Sequence, residues 1–241
     1  MVADEALDVH NPGAIFAYHT APLNVGQWAT RPNVMMAWRN QVSVRLSGEG
    51  DLKTAAKAVR AAILEIGTLE PAQVFAIVTD ADFIHPQLAA ATETNEGFAV
   101  AGTITTASQR ATENAQREIE RRLAELEDGG VQIDLEDEPR WIAGVTNDPT
   151  LTSRASDSIR RVFGDEVVLP TGGVMPAFSE DFGTFQEHTP GVMFFLGVSN
   201  PEKGWVGLPH SPTYVADEES IGLGAKAMAA VLLDFLDTAD R

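Results

Sequence analysis

Cysteine is absent from the 241 residues. That excludes disulfides, thiolate nucleophiles and cysteine-held metals. Positive charge is scarce: 17 Lys and Arg stand against 35 Asp and Glu, a formal net charge of -18. Such a surface repels nucleic acid and anionic membranes, so neither is expected as a partner. The acidity fits a high-salt habitat, where repulsion is screened, and equally an ordinary acidic protein. No apolar run approaches the ~20 residues of a membrane span. The first residues, Met1 to Ala6, are acidic where a secretory signal would be basic and then apolar. The expectation is a soluble cytoplasmic protein. Hydrophobic residues at 44% and charged residues at 22% give a globular composition, enough for one large domain or two small ones.

Periodicity then sets the elements. Ala14 to Tyr18 reads as a short strand with His19 at its end, after turn punctuation at Asn11-Pro12-Gly13. Met35 to Leu46 alternates in its second half, with Val42, Val44 and Leu46 on one face. Asp51 is placed to cap a helix whose Leu52, Ala56, Val59, Ile63 and Ile66 share a face. Val74 to Val78 reads as a strand, residues 80–96 as irregular, and Phe98 to Thr106 as a strand. A helix over 107–128 and a strand over 131–135 follow. The order from 35 to 136 is strand, helix, strand, strand, helix, strand, a ferredoxin-like βαββαβ arrangement. After Pro139 come a helix opened by Asp148-Pro149, a short strand at 167–169 and a doubly covered strand at 192–198. A last helix begins near Asp217, with Ile221, Ala225, Met228, Leu232 and Phe235 expected on its buried face. Residues 1–31 and 140–241 thus read as one discontinuous α/β domain, and 32–139 as a domain inserted into it.

Four residues carry candidate chemistry: His19, His210, Glu180 and Asp181. Histidines at the ends of core strands in both pieces of a discontinuous domain can converge, and carboxylates beside them would make a hydrolytic metal site. The alternative, that each histidine makes only a local hydrogen bond, stays open from spacing alone. His85 reads as an exposed loop histidine, His10 and His188 have no supporting context, and Trp205 either packs or walls a pocket.

Five stretches carry a family resemblance. They are Ala14–His19, Arg31–Ala37, Ser179-Glu180-Asp181-Phe182, Pro190–Pro201 (PGVMFFLGVSNP) and His210-Ser211-Pro212. In order and spacing they resemble the metal-dependent amidohydrolase and carboxypeptidase family that includes hippurate hydrolase, aminoacylase and the indole-acetyl-amino-acid hydrolases. The resemblance covers essentially the whole chain. It implies a partial metallopeptidase-type catalytic domain with an inserted ferredoxin-like lid. It further implies His19 and His210 as metal ligands, zinc or another divalent metal as cofactor, a small N-acyl amino acid or peptide-like substrate, and a homodimer formed through the lid.

The same comparison shows departures. Family members carry an upstream His-Gly-Cys-Gly-His-Asp motif and a Glu-Glu pair, which supply further ligands and the general base. Nothing here matches either. The family's lid loop Gly-Gly-His-Ala-x-x-Pro-His is missing, because Gly48-Glu49-Gly50-Asp51 runs directly into the helix. The family's lid Asn aligns with Thr92 and its substrate-binding Arg with Thr105. Arg is the natural bidentate partner of a carboxylate and Thr is not. Three readings follow: an amidohydrolase completed by residues supplied elsewhere, a non-catalytic binding or oligomerisation module, and an inert remnant. The expectation for this chain alone is little or no hydrolysis.

Overall fold

The structure is a computed structural model that describes Leu7 and residues 11–79, 82–127, 129–136 and 141–239. His10 lies outside the described residues. The first strands are β1 (Ile15–Asn24), β2 (Trp28–Thr30), β3 (Asn33–Val34) and β4 (Trp38–Gly48), followed by helix α1 (Leu52–Leu64). Next come β5 (Ile84–Leu88), β6 (Thr92–Thr94), β7 (Gly97–Thr106), α2 (Gln109–Ala124), β8 (Val131–Leu135), β9 (Trp141–Ile142) and β10 (Thr146–Asn147). The chain then forms α3 (Pro149–Phe163), β11 (Val168–Pro170), α4 (Phe182–Gln186), β12 (Gly191–Ser199) and α5 (Glu219–Ala239). Among the described residues, no helix is long and apolar enough to cross a membrane. The chain divides into two compact units.

The first unit comprises Met1–Met35, Val145–Gly172 and Thr184–Arg241. Its sheet has the order β1-β12-β2-β11, with β1 parallel to β12 and β12 antiparallel to β2. The unbroken apolar run of β12 is buried along nearly its whole length, as a strand covered on both faces must be. Val192, Phe194, Leu196 and Val198 pack with Trp28, with Ile159 of α3 and with Ala227 and Val231 of α5. Asp148 caps α3 by accepting from the Leu151 N–H at 2.8 Å, and Pro149 occupies the first turn, where its missing N–H costs nothing.

Asn147 is the polar centre of this unit, and only 1% of it is exposed. Its side-chain oxygen accepts from the Met193 N–H at 2.8 Å and the Gln186 amide at 3.3 Å. Its amide nitrogen lies within donating distance of the Thr30 hydroxyl (3.1 Å) and of the carbonyls of Arg31 (3.0 Å) and Met193 (3.1 Å). One side chain therefore ties β2, β10 and β12 together.

Helix α5 departs from the expected face. Its buried row is Ser220, Gly224, Ala227 and Val231, while Ile221 (70% exposed), Ala225 and Leu232 face outward and Met228 and Phe235 are half-buried. Leu233 and Leu236 are exposed as well. The helix is apolar on more than one side, so periodicity does not select a single stripe. The first strand also runs further than expected. It continues through Pro22 to Asn24, which places His19 mid-strand, opposite Phe195.

The second unit comprises Met36–Gly144 and Gly173–Gly183. Its sheet has the order β5-β7-β4-β8, and every adjacent pair is antiparallel. Helices α1 and α2 bury Ala56, Val59 and Ile63, and Ala115, Ile119 and Leu123, against Val42, Val44, Leu46, Val100 and Ile104. Asp51 caps α1 through the Thr54 N–H at 3.1 Å, and Ser108 caps α2 through the Ala111 N–H at 3.1 Å. Arg122 straps the two helices by donating to the Ala62 carbonyl at 3.1 Å, while ion-paired to Glu118 at 2.7 Å.

The second strand of this unit is not where the apolar run Val74 to Val78 predicts. Phe75 and Ile77 are exposed, and the segment contributes only an isolated bridge, Val78 to Val174. The strand is instead Ile84–Leu88, inside the segment read as irregular, and β6 follows it. It carries Pro86, which a sheet tolerates on an edge strand because the missing N–H breaks no inner ladder. His85 is consequently a half-buried strand residue and not a loop histidine. Burial pushes its imidazole below the usual histidine range.

Candidate metal centre

The first unit brings two of the four candidate residues together. His19 sits in β1 and His210 in the loop between β12 and α5. Their ring centroids are 6.3 Å apart, with planes inclined at 42°. Two imidazoles on one tetrahedral or open ion stand roughly 5–6 Å apart by centroid, given metal–nitrogen bonds of about 2 Å. The observed 6.3 Å lies just beyond that range, so it suits two adjacent ions better than one shared tetrahedral ion.

His19 is held from two sides. Its Nδ1 lies 2.7 Å from the Thr20 carbonyl. A carbonyl only accepts, so Nδ1 carries a proton, and in the neutral ring Nε2 keeps the lone pair. That is the tautomer a metal-binding histidine needs, fixed by the hydrogen bond on its other nitrogen. The Phe195 ring meets the imidazole edge-on, at 6.1 Å and 89°. The adjacent Tyr18 packs instead with Phe194 and α5. Burial pushes its hydroxyl well above the ordinary tyrosine range, against a smaller pull from the Trp28 indole, so it stays protonated at neutral pH and is no base.

His210 is exposed and has φ +60, a left-handed conformation uncommon for a side chain with a Cβ. Its loop is fastened at the base. Asp217, 3% exposed, accepts from the Lys203 ammonium at 2.9 Å, the Asn200 amide at 2.6 Å and the Glu219 N–H at 3.1 Å. Those contacts, Lys203 foremost, lower its carboxyl to about 2. Lys203 also lies 4.7 Å over the Trp205 ring, which makes Trp205 a packing residue of the loop. Gly207 lets the loop lie against β12, where a Cβ would collide with Val198. In the sequence Asp217 reads only as an acidic helix start. Its role as the loop's fastening depends on partners 14 and 17 positions away.

Glu180 and Asp181 belong to the second unit, where the Glu180 carboxylate accepts from the Phe182 N–H at 2.7 Å. His188 is exposed, with its N–H on the Phe185 carbonyl. Thr92 opens β6, and Thr105 is buried in β7 beside His85. Among the described residues, no group of three or more His, Asp or Glu side chains is gathered to hold a metal. The histidine pair fits part of a divalent-metal site; a hydrolytic centre takes at least three protein ligands.

Comparison with known proteins is consistent along the chain. A model described as Peptidase family M20/M25/M40 matches residues 1–234. The Arabidopsis thaliana protein named IAA-amino acid hydrolase ILR1-like 5 is 25% identical over 246 residues, covering 96% of this chain and 56% of the relative. An N-acetyldiaminopimelate deacetylase of Streptococcus pneumoniae is 24% identical, covering 96% of this chain and 62% of the relative. The chain thus spans little more than half the length of these relatives. A Bacillus subtilis dinuclear metal-binding peptidase of the M20 family has the same fold, with TM-score 0.73, 20% identity, and coverage of 98% of this chain and 61% of that one.

Proposed function

Because the chain belongs to Peptidase family M20/M25/M40, we propose that it is a metal-dependent amidohydrolase homologue in which His19 and His210 form one side of a divalent-metal site. The observation that carries this reading is their approach to 6.3 Å, with Nε2 of His19 left free by the Thr20 carbonyl. Imidazole nitrogens suit zinc, as they do copper, nickel and iron. When bound, such an ion supplies a polarised carbonyl and an acidified water. This chain's own contribution is positional. The Thr20 carbonyl orients His19, Phe195 limits its rotation, and the Asp217 cluster sets where the His210 loop leaves the sheet. The names of the relatives support N-acyl amino acids and peptide-like amides as the substrate class.

We assign residues 1–31 and 140–241 to the catalytic domain and 32–139 to a ferredoxin-like lid, although the Gly173–Gly183 segment groups with the second unit. The antiparallel order β5-β7-β4-β8 and two helices supporting one face favour that assignment. A homodimer through the lid is the expected assembly. Little or no hydrolysis is expected from this chain by itself, because two imidazoles supply neither a third ligand nor a general base. Two features favour a second reading, a binding or oligomerisation module. One is the apolar outer face of α5. The other is Thr at positions 92 and 105, where the family carries substrate-binding Asn and Arg.

The test is to assay the purified chain with zinc or manganese on N-acetyl and N-arylacetyl amino acids. No turnover above the buffer is expected. Turnover that disappears in His210→Ala would overturn the incomplete-site reading and establish a working hydrolase.

A further inference from the structure

Helix α5 turns a second apolar row outward, away from the one it buries. Ala229, Leu232, Leu233 and Leu236 follow the i, i+3, i+4, i+7 spacing that sets residues on one helical face. The three leucines are 42%, 69% and 59% exposed. A contiguous apolar face of this kind marks a contact with another surface.

Charge says which surface. The chain carries a net charge of -18, so two copies repel wherever their acids face each other. Between Lys226 and Asp237 the outward row holds no acid. Asp234, the acid within that interval, is half-buried and turned to α3, where Arg154 and Arg161 donate to it at 3.4 and 2.5 Å. Lys226 is exposed and makes no ion pair among the described residues. Asp237 is exposed at the other end of the row. The two stand about three turns, or ~16 Å, apart, hence on the same flank of the leucine row. Like flanks meet in antiparallel helices, and opposite flanks meet in parallel ones. A second copy laid antiparallel, with a twofold axis midway between these residues, therefore sets each Lys226 against the other copy's Asp237. That midpoint falls beside Leu232, so the leucines of both copies meet at the crossing, and Ala229 leaves room for the other copy's Leu233. An apolar seam flanked by matched charges is what fixes the orientation of paired helices.

We propose that the outer face of α5 is a contact between two copies of this chain, which pair as antiparallel helices about a twofold axis beside Leu232. The contact is isologous, the same patch serving both copies. It belongs to the first unit alone and rests neither on the histidine pair nor on a dimer through the lid.

The absence of cysteine makes disulfide trapping a direct test. Leu233→Cys places a thiol next to the axis and facing its counterpart. Ile221→Cys places one at a position as exposed, at 70%, but about 30 Å from its counterpart at 1.5 Å per residue, beyond the reach of a disulfide. With diamide as oxidant, Leu233→Cys is expected to form a covalent dimer and Ile221→Cys to stay monomeric on a denaturing gel. In sedimentation of the otherwise native chain, Lys226→Glu and Asp237→Lys are each expected to weaken dimerisation about tenfold, because each turns two symmetry-related attractions into repulsions. The double variant carrying both is expected to restore it, with circular dichroism unchanged throughout. Equal trapping of the two thiols, or trapping of neither, overturns the proposal. So does a double variant as weak as the single ones, a dimer indifferent to all three, or a chain that stays monomeric at every concentration, which leaves the face to a different polypeptide.

Discussion

Each compact unit turns an asparagine toward the packed side of a sheet, and the two are treated in opposite ways. Asn147 finds a partner for its oxygen and its nitrogen, joining strands that lie up to 117 residues apart in sequence. Asn40 keeps an unpaired oxygen beside a cavity. A buried amide is a fastening when its hydrogen bonds close, and a standing cost when they do not. The helices differ in the same way. In the second unit α1 and α2 each bury one apolar row and present charge outward. In the first unit α5 buries a narrow row of small residues and leaves Ile221, Leu232, Leu233 and Leu236 exposed. The second unit reads as finished around its core, apart from the Asn40 cavity. The first carries surface whose role the sequence does not explain by itself.

The contrast can be broken experimentally, and the largest effect belongs to Asn147. Asn147→Ala orphans the Met193 N–H, while the Met193 carbonyl keeps the Thr30 hydroxyl at 2.8 Å, so urea unfolding of the first unit should lose about 2 kcal/mol. Unfolding of the second unit, followed separately, should not move. Acid comes next. The Asp217 carboxyl is lowered to about 2 when folded, so its contribution is present above its unfolded value of about 4 and is lost as pH falls through 2. Pepsin should cut the 200–217 loop increasingly as pH drops between those values. Thermolysin at neutral pH should cut it in Asp217→Asn but not in the native chain. Asn40→Leu should act in the opposite sense to Asn147→Ala and raise the stability of the second unit by about 1 kcal/mol, because it removes an unpaired buried oxygen. The smallest effect is on α5. Leu233→Gln, on a residue 69% exposed, should change stability by less than about 0.5 kcal/mol while reducing any self-association seen by sedimentation.

Much of the fold was legible because its elements have one clean reading. The apolar run of β12, the Asp148-Pro149 opening of α3 and the single apolar faces of α1 and α2 each allow only one placement. Where a segment is apolar without being buried, the reading failed. Phe75 and Ile77 look like strand interior yet are exposed, and the polar, proline-containing Ile84–Leu88 pairs with β7 in their stead. The α5 face failed for the related reason that several of its sides are apolar. Of the candidate site, His19 and His210 stood in recognisable stretches and do approach each other. Asn147, Asn40 and Asp217 were not legible as site-shaping groups. Their roles come from partners distant in sequence, or from the lack of one, and no local pattern announces either.

The central claim is that His19 and His210 act as a metal-binding pair. Zinc titration of the purified chain at neutral pH, followed through the imidazole NMR signals of both residues, tests it most directly. The account predicts that both sets of signals shift together with one titration curve, that His19 coordinates through Nε2 while Nδ1 keeps its proton, and that His210→Ala weakens binding at least tenfold. Signals of the two histidines that move independently, or a zinc affinity unchanged in His210→Ala, would contradict it.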